Sequence, residues 1–477
     1  MNPAEPRANP LNPLLLAGVA GVIAFRLWTS VCFFPLAEWN HVRLAPTFML
    51  WFGPTPYPGL NGGPLTTWIY GPVPLLLNLP AVLAHDTIPA LLIAGIINLL
   101  AAILPATIAV FALAGPAPAR TDRFWALGLC LALWPNPSLQ YIQADNWAIA
   151  FGLLSNVLLL HSRGGPGILP GLAGLCAALA VWSKQTALGL VLAQLLWLGW
   201  TVGFRETVRY GSMCAAFGLA LGAGFIAWFG FDALWLNLVH IPGHLPFVTD
   251  PLARTFDFWM HLSGYVVLPA AVLIVARRVI WTRDSRWLLP MLSWLCLLPG
   301  GLVATYKLGG ATNSLNGFLY LLPVGAVSVV AALRRFTPRA AGPWLAAGTI
   351  AVLTQQLATA PLLPLRPMTG QLVEAGQLAH QFPGRIYFPW HPLVTFFSEH
   401  RFYHAEDGLN TRHLAGLPLD PAIARRDLPP AWSMTALPGW REEGNYKQLQ
   451  PPTAQLGFRG KWSVYLWPTA PPGSGSD

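Results

Sequence analysis

ILPGLAGLCAALAVWSKQTALGLVLAQLLWLGWTVG, residues 168–203, holds two apolar runs that meet at four polar residues, SKQT, and this join decides the fold. A membrane-crossing helix needs about 20 predominantly apolar residues. The two runs, 168–183 and 186–203, approach that length in tandem. Lys184 stands between them with almost no loop in which to solvate an ammonium. At membrane depth that charge costs roughly 3 kcal/mol. Lys184 therefore either snorkels to the interface or lines a polar cavity.

Further apolar runs fall near 12–34, 88–114, 124–138, 146–161, 212–231, 262–279, 287–305, 316–333 and 343–361. With the first pair they predict an all-α polytopic membrane bundle of about eleven transmembrane helices. The connectors alternate in character. One set carries arginine: Arg120 and Arg123; Arg163; Arg205 and Arg209; Arg277, Arg278, Arg283 and Arg286; Arg334, Arg335 and Arg339. The other set holds Glu38, His41 and Arg43; Asp145; Lys184; His240, His244 and Asp257; Lys307 and Asn313. Arginine-rich loops stay on the cytoplasmic side. The N-terminus is expected inside, and the unusual acids, bases and amides on the opposite face.

Composition agrees. Of 477 residues, 54% are hydrophobic and only 10% charged, with a mean hydropathy of +0.50, where soluble domains average about 25% charged. The net charge of +9 is spread over inner loops rather than gathered on one face, so it points to topology and away from nucleic acid. The five cysteines lie within or at the ends of apolar runs, which predicts neither disulfides nor a thiolate metal site. Phe33, Phe34 and Pro35 close the first run where a signal peptidase needs small residues, so an uncleaved first span is expected.

Two stretches interrupt the rhythm: 35–87, rich in Pro, Gly and aromatics, and 232–261, both read as long outer loops. The apolar GPVPLLLNLPAVLA near the end of the first is too short to span and suits an interfacial or re-entrant helix. Residues 1–361 form the expected transmembrane domain. After it, charge and proline return, and RIYF (385–388) and WSVYLW (462–467) read as strands. Residues 362–477 are therefore expected to form a small α/β extracytoplasmic domain, ending in a disordered tail, PTAPPGSGSD.

The polar residues of the outer set are the candidates for chemistry. Glu38 in PLAEWNHVRL reads as an interfacial acid or as a general base for a hydroxyl. Near it stand His41, Arg43 and, in the aromatic loop, Tyr70. Asp145, followed by Asn146, suits a helix N-cap, and a cap can also serve a site. Gln185 accompanies Lys184. In TYKLGGATNSLNG, Lys307, the paired glycines, Asn313 and Asn316 read as a phosphate site or as a plain turn. His240 and His244 have the spacing of a helical metal pair, but Pro242 and Gly243 between them are expected to break the helix, leaving substrate contact. His391, Glu399, His400, His404, Glu406 and Asp407 are read as surface polarity rather than a metal site.

An acid just after the first span, a long loop ending in YGPVPLLL, an Asp before the fourth span, then SKQT and KLGGATN at later outer ends: this order resembles the GT-C superfamily of integral-membrane glycosyltransferases, especially the bacterial family-39-like and RgtA/B/C/D-like proteins. The resemblance covers about residues 12–360. It implies a polyprenyl-phosphate-linked sugar as donor, a bacterial inner (plasma) membrane location, and transfer on the external side to a glycan, lipid or protein acceptor. By this resemblance Glu38 is the catalytic acid position, and Lys184 with Lys307 and Asn313 holds the donor phosphate. His41, Arg43, Tyr70, Asp145, Asn146, Gln185, His240 and His244 are expected around the substrates. The chain departs from the pattern where many members carry an Asp-Glu pair: it reads Ala37-Glu38. A lone carboxylate argues against an essential divalent ion, and no cofactor is expected. Buried Arg26 pairs within the bundle or reaches the headgroup. The rival classes are a flippase of lipid-linked intermediates, which would place polar groups near the midplane of broken helices, and a silent scaffold that binds lipid without turnover.

Overall fold

The computed structural model describes residues 11–33, 37–66, 68–114, 120–162, 167–261, 285–337, 340–359, 365–438, 455–459 and 462–466. The expected span at 262–279, the connector arginines 163, 277, 278, 283 and 339, and the C-terminal tail fall outside these.

The chain runs through α1 (Leu11–Phe33), α2 (Glu38–Phe52), α3 (Val73–Leu77), α4 (Thr87–Ala114), α5 (Arg120–Leu133), α6 (Asn136–Gln140), α7 (Ala144–Ser162) and α8 (Ile168–Ser183). It continues with α9 (Leu188–Thr201), α10 (Phe204–Phe229), α11 (Phe231–Trp235), a π-helical turn (Leu236–His240), α12 (Ile241–His244) and α13 (Pro251–His261). After the interval come α14 (Ser285–Tyr306), a 3-10 segment (Thr312–Tyr320), α15 (Leu322–Phe336) and α16 (Ala341–Thr359). Among the described residues four helices, within α1, α4, α10 and α14, are long and apolar enough to cross a membrane by themselves. The expected span at 316–333 is a broken one: the 3-10 segment and α15 meet at 47°. Pro323, in the first turn of α15, has no N–H to continue a helix from the preceding segment, but fits a helix start.

Why these helices sit in a bilayer is written on their outer faces. Ile96, Leu100, Leu104 and Ile108 of α4 recur every four residues and are each 44–55% exposed. Leu188, Leu192, Leu196 and Trp200 do the same on α9. Such stripes would be a liability in water, whereas in hydrocarbon they face their natural solvent. The protein is an integral membrane protein. Inside, α7 packs on α4 and α8, and α14 on α9. The largest core joins α1, α4, α5, α7, α15 and α16 around Trp125 and Trp134. Polar groups at depth are paired: Gln194 donates to Ser155 and Asn156, and accepts from Tyr210 at 2.7 Å.

The second expected loop, 232–261, is largely helical, and about half of the first is. Within 35–87 lies α2, fifteen residues long, with Pro46 inside it. The turn chemistry of the surrounding sequence hid a helix whose Asn40, Leu44, Ala45 and Phe48 are all buried. GPVPLLLNLPAVLA forms α3 and a 3-10 turn, Leu79–Leu83.

Beyond residue 364 follow α17 (Leu365–Gln381), β1 (Ile386–Tyr387), α18 (Pro392–Glu399), α19 (Glu406–Leu414), α20 (Pro421–Ala424), β2 (Met434–Pro438), β3 (Gln455–Arg459) and β4 (Trp462–Leu466). The strands form one sheet in the order β1-β2-β4-β3, with β1 parallel to β2 and the other pairs antiparallel. This segment is seated on the first loop and α2. Phe48 meets Phe396 edge-on at 5.4 Å, and the Leu65 N–H donates to His404 Nδ1 at 2.8 Å.

Candidate active site

The site grows from two helix ends. Asp145 lies in the first turn of α7, and Lys184 is the residue that ends α8. α7 and α8 pack side by side, so the two charged groups meet: Lys184 Nζ donates to Asp145 Oδ1 at 2.5 Å. Both are buried. Asn313, from the start of the 3-10 segment, donates to the other carboxylate oxygen at 3.0 Å. The carboxylate therefore has a partner at each oxygen. Burial opposes the charge on Lys184, and Asp145 with Tyr70 more than offsets it, leaving the ammonium above its ordinary pKa.

The first loop is pressed onto this pair. The Gly71 N–H donates to the Ser183 carbonyl at 3.3 Å. A Cβ at Gly71 would lie 1.7 Å from the Trp182 carbonyl oxygen, so only glycine permits the approach. Tyr70 is thereby brought to 5.7 Å from Lys184 Nζ. Gln185 holds the same loop from beneath, donating to the carbonyls of Ile69 and Leu238 at 3.0 Å.

Above the pair opens a cavity of about 560 Å³. Trp39 and Arg43 of α2, Tyr70, Tyr141 and Gln143 form part of its wall. Arg43 lies 5.7 Å from the Trp39 ring centroid and 5.8 Å from that of Tyr141. Residues 308–311 and Asn313 contribute backbone and amide, and Asp407, Asn410, Thr411 and Leu414 of α19 complete it. Asn313 also lines the smaller recess holding Asp145 and Lys184, and so borders both spaces. Burial pushes the Tyr141 hydroxyl above its usual value, with Arg43 pulling it down and Glu38 pushing it up. Glu38 itself is buried at the start of α2 and is not part of the cavity wall. Asn146 braces the connector by donating to the Tyr141 carbonyl at 3.1 Å.

Several expected site residues are used elsewhere. Lys307 turns its ammonium onto the carbonyls of Pro242 and Gly243, at 2.6 and 2.8 Å, where it caps the end of α12. It does not line the cavity. The His240 and His244 rings meet at a tilt of 41° with centroids 4.1 Å apart, because the chain stays helical through Pro242 and Gly243, contrary to expectation. Pro242 has no N–H to offer the Leu238 carbonyl, which accepts from Gln185 instead. Neither imidazole reaches the cavity wall. His41 is fully buried against the His391 ring, centroids 4.6 Å apart, and also stands apart from the cavity. Arg26 pairs within the bundle, on Asn136 and the last carbonyls of α5.

Half of the C-terminal group expected at the surface is interior. His391, His404 and Glu406 are buried, and Asp407 lines the cavity. Sequence reasoning missed Trp39, Tyr141, Gln143 and the α19 residues. The spacing of Asp407, Asn410, Thr411 and Leu414 at i, i+3, i+4 and i+7 was the available signal for one helix face. Among the described residues no group of three or more His, Cys, Asp or Glu is placed to hold a metal ion.

No protein-family model and no curated protein sequence matches the chain. Among solved structures, ArnT from Cupriavidus metallidurans bound to undecaprenyl phosphate is similar at a TM-score of 0.62 and 10% identity, over 96% of this chain and 98% of that one. Its apo state gives 0.61 and 10%, over 95% and 97%. The Archaeoglobus fulgidus oligosaccharyltransferase in its apo form gives a TM-score of 0.49 and 12% identity, over 93% of this chain and 72% of that one. The match to ArnT over nearly the whole of both chains makes the fold GT-C-like.

Proposed function

We propose that this GT-C-like membrane protein is a glycosyltransferase: it moves a sugar from a polyprenyl-phosphate donor to a glycan, lipid or protein acceptor of the envelope, on the external face of the bacterial inner membrane. In this reading about eleven spans carry an inside N-terminus, and residues 362–477 form an α/β domain outside. The observation that carries the proposal is the cavity beside the Asp145–Lys184–Asn313 cluster, with Arg43 on its wall between two aromatic rings. Arg43 and Lys184 are close enough that the first lowers the proton affinity of the second. An anion seated between them relieves that repulsion. ArnT, of like fold, has been seen bound to undecaprenyl phosphate.

The chemistry follows from the leaving group. A phosphate with a second pKa of about 6 departs without a general acid, so nearby cations suffice to stabilise the growing charge. The step is a single inverting displacement. The acceptor oxygen forms its bond to the anomeric carbon as the bond from that carbon to the phosphate oxygen breaks. The electron pair leaves with the lipid phosphate toward Arg43 and Lys184, and the hydroxyl proton is assigned to Glu38, which stands behind the cavity wall beside Trp39 rather than on it. Glu38 opens the helix that also presents Trp39 and Arg43, and its charge acts on Tyr141 in the cavity wall.

The test is lipid binding to the purified protein in nanodiscs. Undecaprenyl phosphate should bind the wild type, and Arg43→Ala or Lys184→Ala should weaken it about tenfold, as expected for loss of one charge-assisted bond. Equal affinity in all three proteins would remove the phosphate site. A flippase would bind the same lipid, but would move it across a vesicle wall with no transfer to an acceptor.

A further inference from the structure

We infer that α19 reads the sugar of the lipid-linked donor, a deepening that rests on the donor reading above. One face of this nine-residue helix supplies Asp407, Asn410 and Thr411 to the cavity, at positions i, i+3 and i+4. Facing the same space are the rings of Trp39, Tyr70 and Tyr141. A carboxylate, a carboxamide and a hydroxyl offer acceptors and donors to ring hydroxyls, while aromatic faces cover the apolar C–H surface of a sugar. That pairing of chemistries on one wall and another is what a carbohydrate needs and a bare phosphate does not.

Arg43, on α2, is the cation of the cavity wall and attracts the phosphate, while Lys184 lines the smaller recess already paired with Asp145. Asp407 is the acid of the cavity wall, and its charge favours a neutral, hydroxyl-bearing ring over a phosphate beside it. The volume of about 560 Å³ suits a small-molecule site.

α19 is also held firmly enough to discriminate. A Cβ on Gly408 would lie 2.8 Å from the Leu65 carbonyl carbon and 2.9 Å from the Thr66 nitrogen, so the helix rests directly on the first loop's backbone. The Ala405 N–H donates to the Leu65 carbonyl at 2.8 Å just before the helix. Arg412, on the same helix, donates to the Gly59 carbonyl at 2.9 Å. A recognition surface pinned to the first loop's backbone at Gly59, Leu65 and Thr66 keeps its geometry when the ligand leaves.

The experiment compares bare undecaprenyl phosphate with undecaprenyl phosphate carrying a hexose or a pentose, bound to the full-length protein in nanodiscs. The wild type should bind one of the sugar-bearing lipids more tightly than the bare one. Asp407→Asn and Thr411→Val should each weaken that binding about tenfold, and leave the bare lipid within about twofold, since a hydrogen bond to the sugar is lost and none to the phosphate. Retained binding of the bare lipid also shows that the variants are folded. Unchanged sugar-lipid binding in both variants overturns the role of α19. So does an equal loss for bare and sugar-bearing lipids. A wild type that holds the bare lipid but gains nothing from any sugar leaves the phosphate site standing and overturns α19 alone. A wild type that binds none of these lipids removes the donor reading, and this inference with it.

Discussion

Lys184 shows how far a single residue can be read. Its position between two apolar runs left it to snorkel or to line a cavity, and once buried, as it is here, an ammonium demands a partner. The partner, Asp145, lies 39 positions earlier in the chain and becomes visible only when α7 and α8 pack. Lys307 is the opposite lesson. The same charge in a glycine-rich turn reads as a ligand group, yet it caps a four-residue helix that proline and glycine had hidden. His404 carries a prediction at this scale. Its ring accepts from the Leu65 N–H and faces the Ala424 carbonyl, and burial pulls its pKa down to about 4. The folded state thus favours the neutral ring. The stability it contributes is complete above its ordinary pKa of about 6.5, and is lost as pH falls from there toward 4. Hydrogen exchange at the Leu65 amide, corrected for intrinsic rate, should accelerate between pH 7 and pH 5. Equal protection at both values would show that the ring is charged, or the contact absent, in the folded protein.

At the scale of elements, hydropathy found α1, α4, α10 and α14 because their length and composition suffice without tertiary context. It did not find α2, whose fifteen residues mix Glu38, Asn40, His41 and Arg43 with apolar groups around Pro46. The burial that makes sense of such a helix comes from outside it: Phe48 packs on Phe396 and Phe397, nearly 350 residues later. The same blindness covered α19, which looks like a polar surface helix until the first loop is laid across it. How the first loop meets α8 is testable. Gly71→Ala must push the loop off the Trp182 carbonyl, at a cost of about 1–3 kcal/mol as overpacking. The variant should melt at lower temperature and lose undecaprenyl phosphate binding together, because Tyr70 and Lys184 part. A variant that keeps both properties would mean that the approach is not needed.

For the whole molecule, the sequence divides the connectors into arginine-bearing and chemically mixed sets. It assigned Asp145, Lys184 and Asn313 to one side, and the structure brings those three together. What it could not give was the roof. The cavity is closed by α19, which follows the last apolar run by about fifty residues, and nothing in periodicity links that segment to Trp39 or Tyr141. The proposal of sugar transfer from a lipid phosphate rests on a GT-C-like bundle and on one cavity lined by Arg43, Asp407 and aromatic rings. The most direct measurement is a mass-spectrometric profile of envelope glycans and glycolipids from a strain lacking this protein, complemented with wild type or with Glu38→Gln. The account predicts one missing sugar, restored by wild type and not by the variant. A profile unchanged by deletion, or restored equally by both proteins, would contradict it.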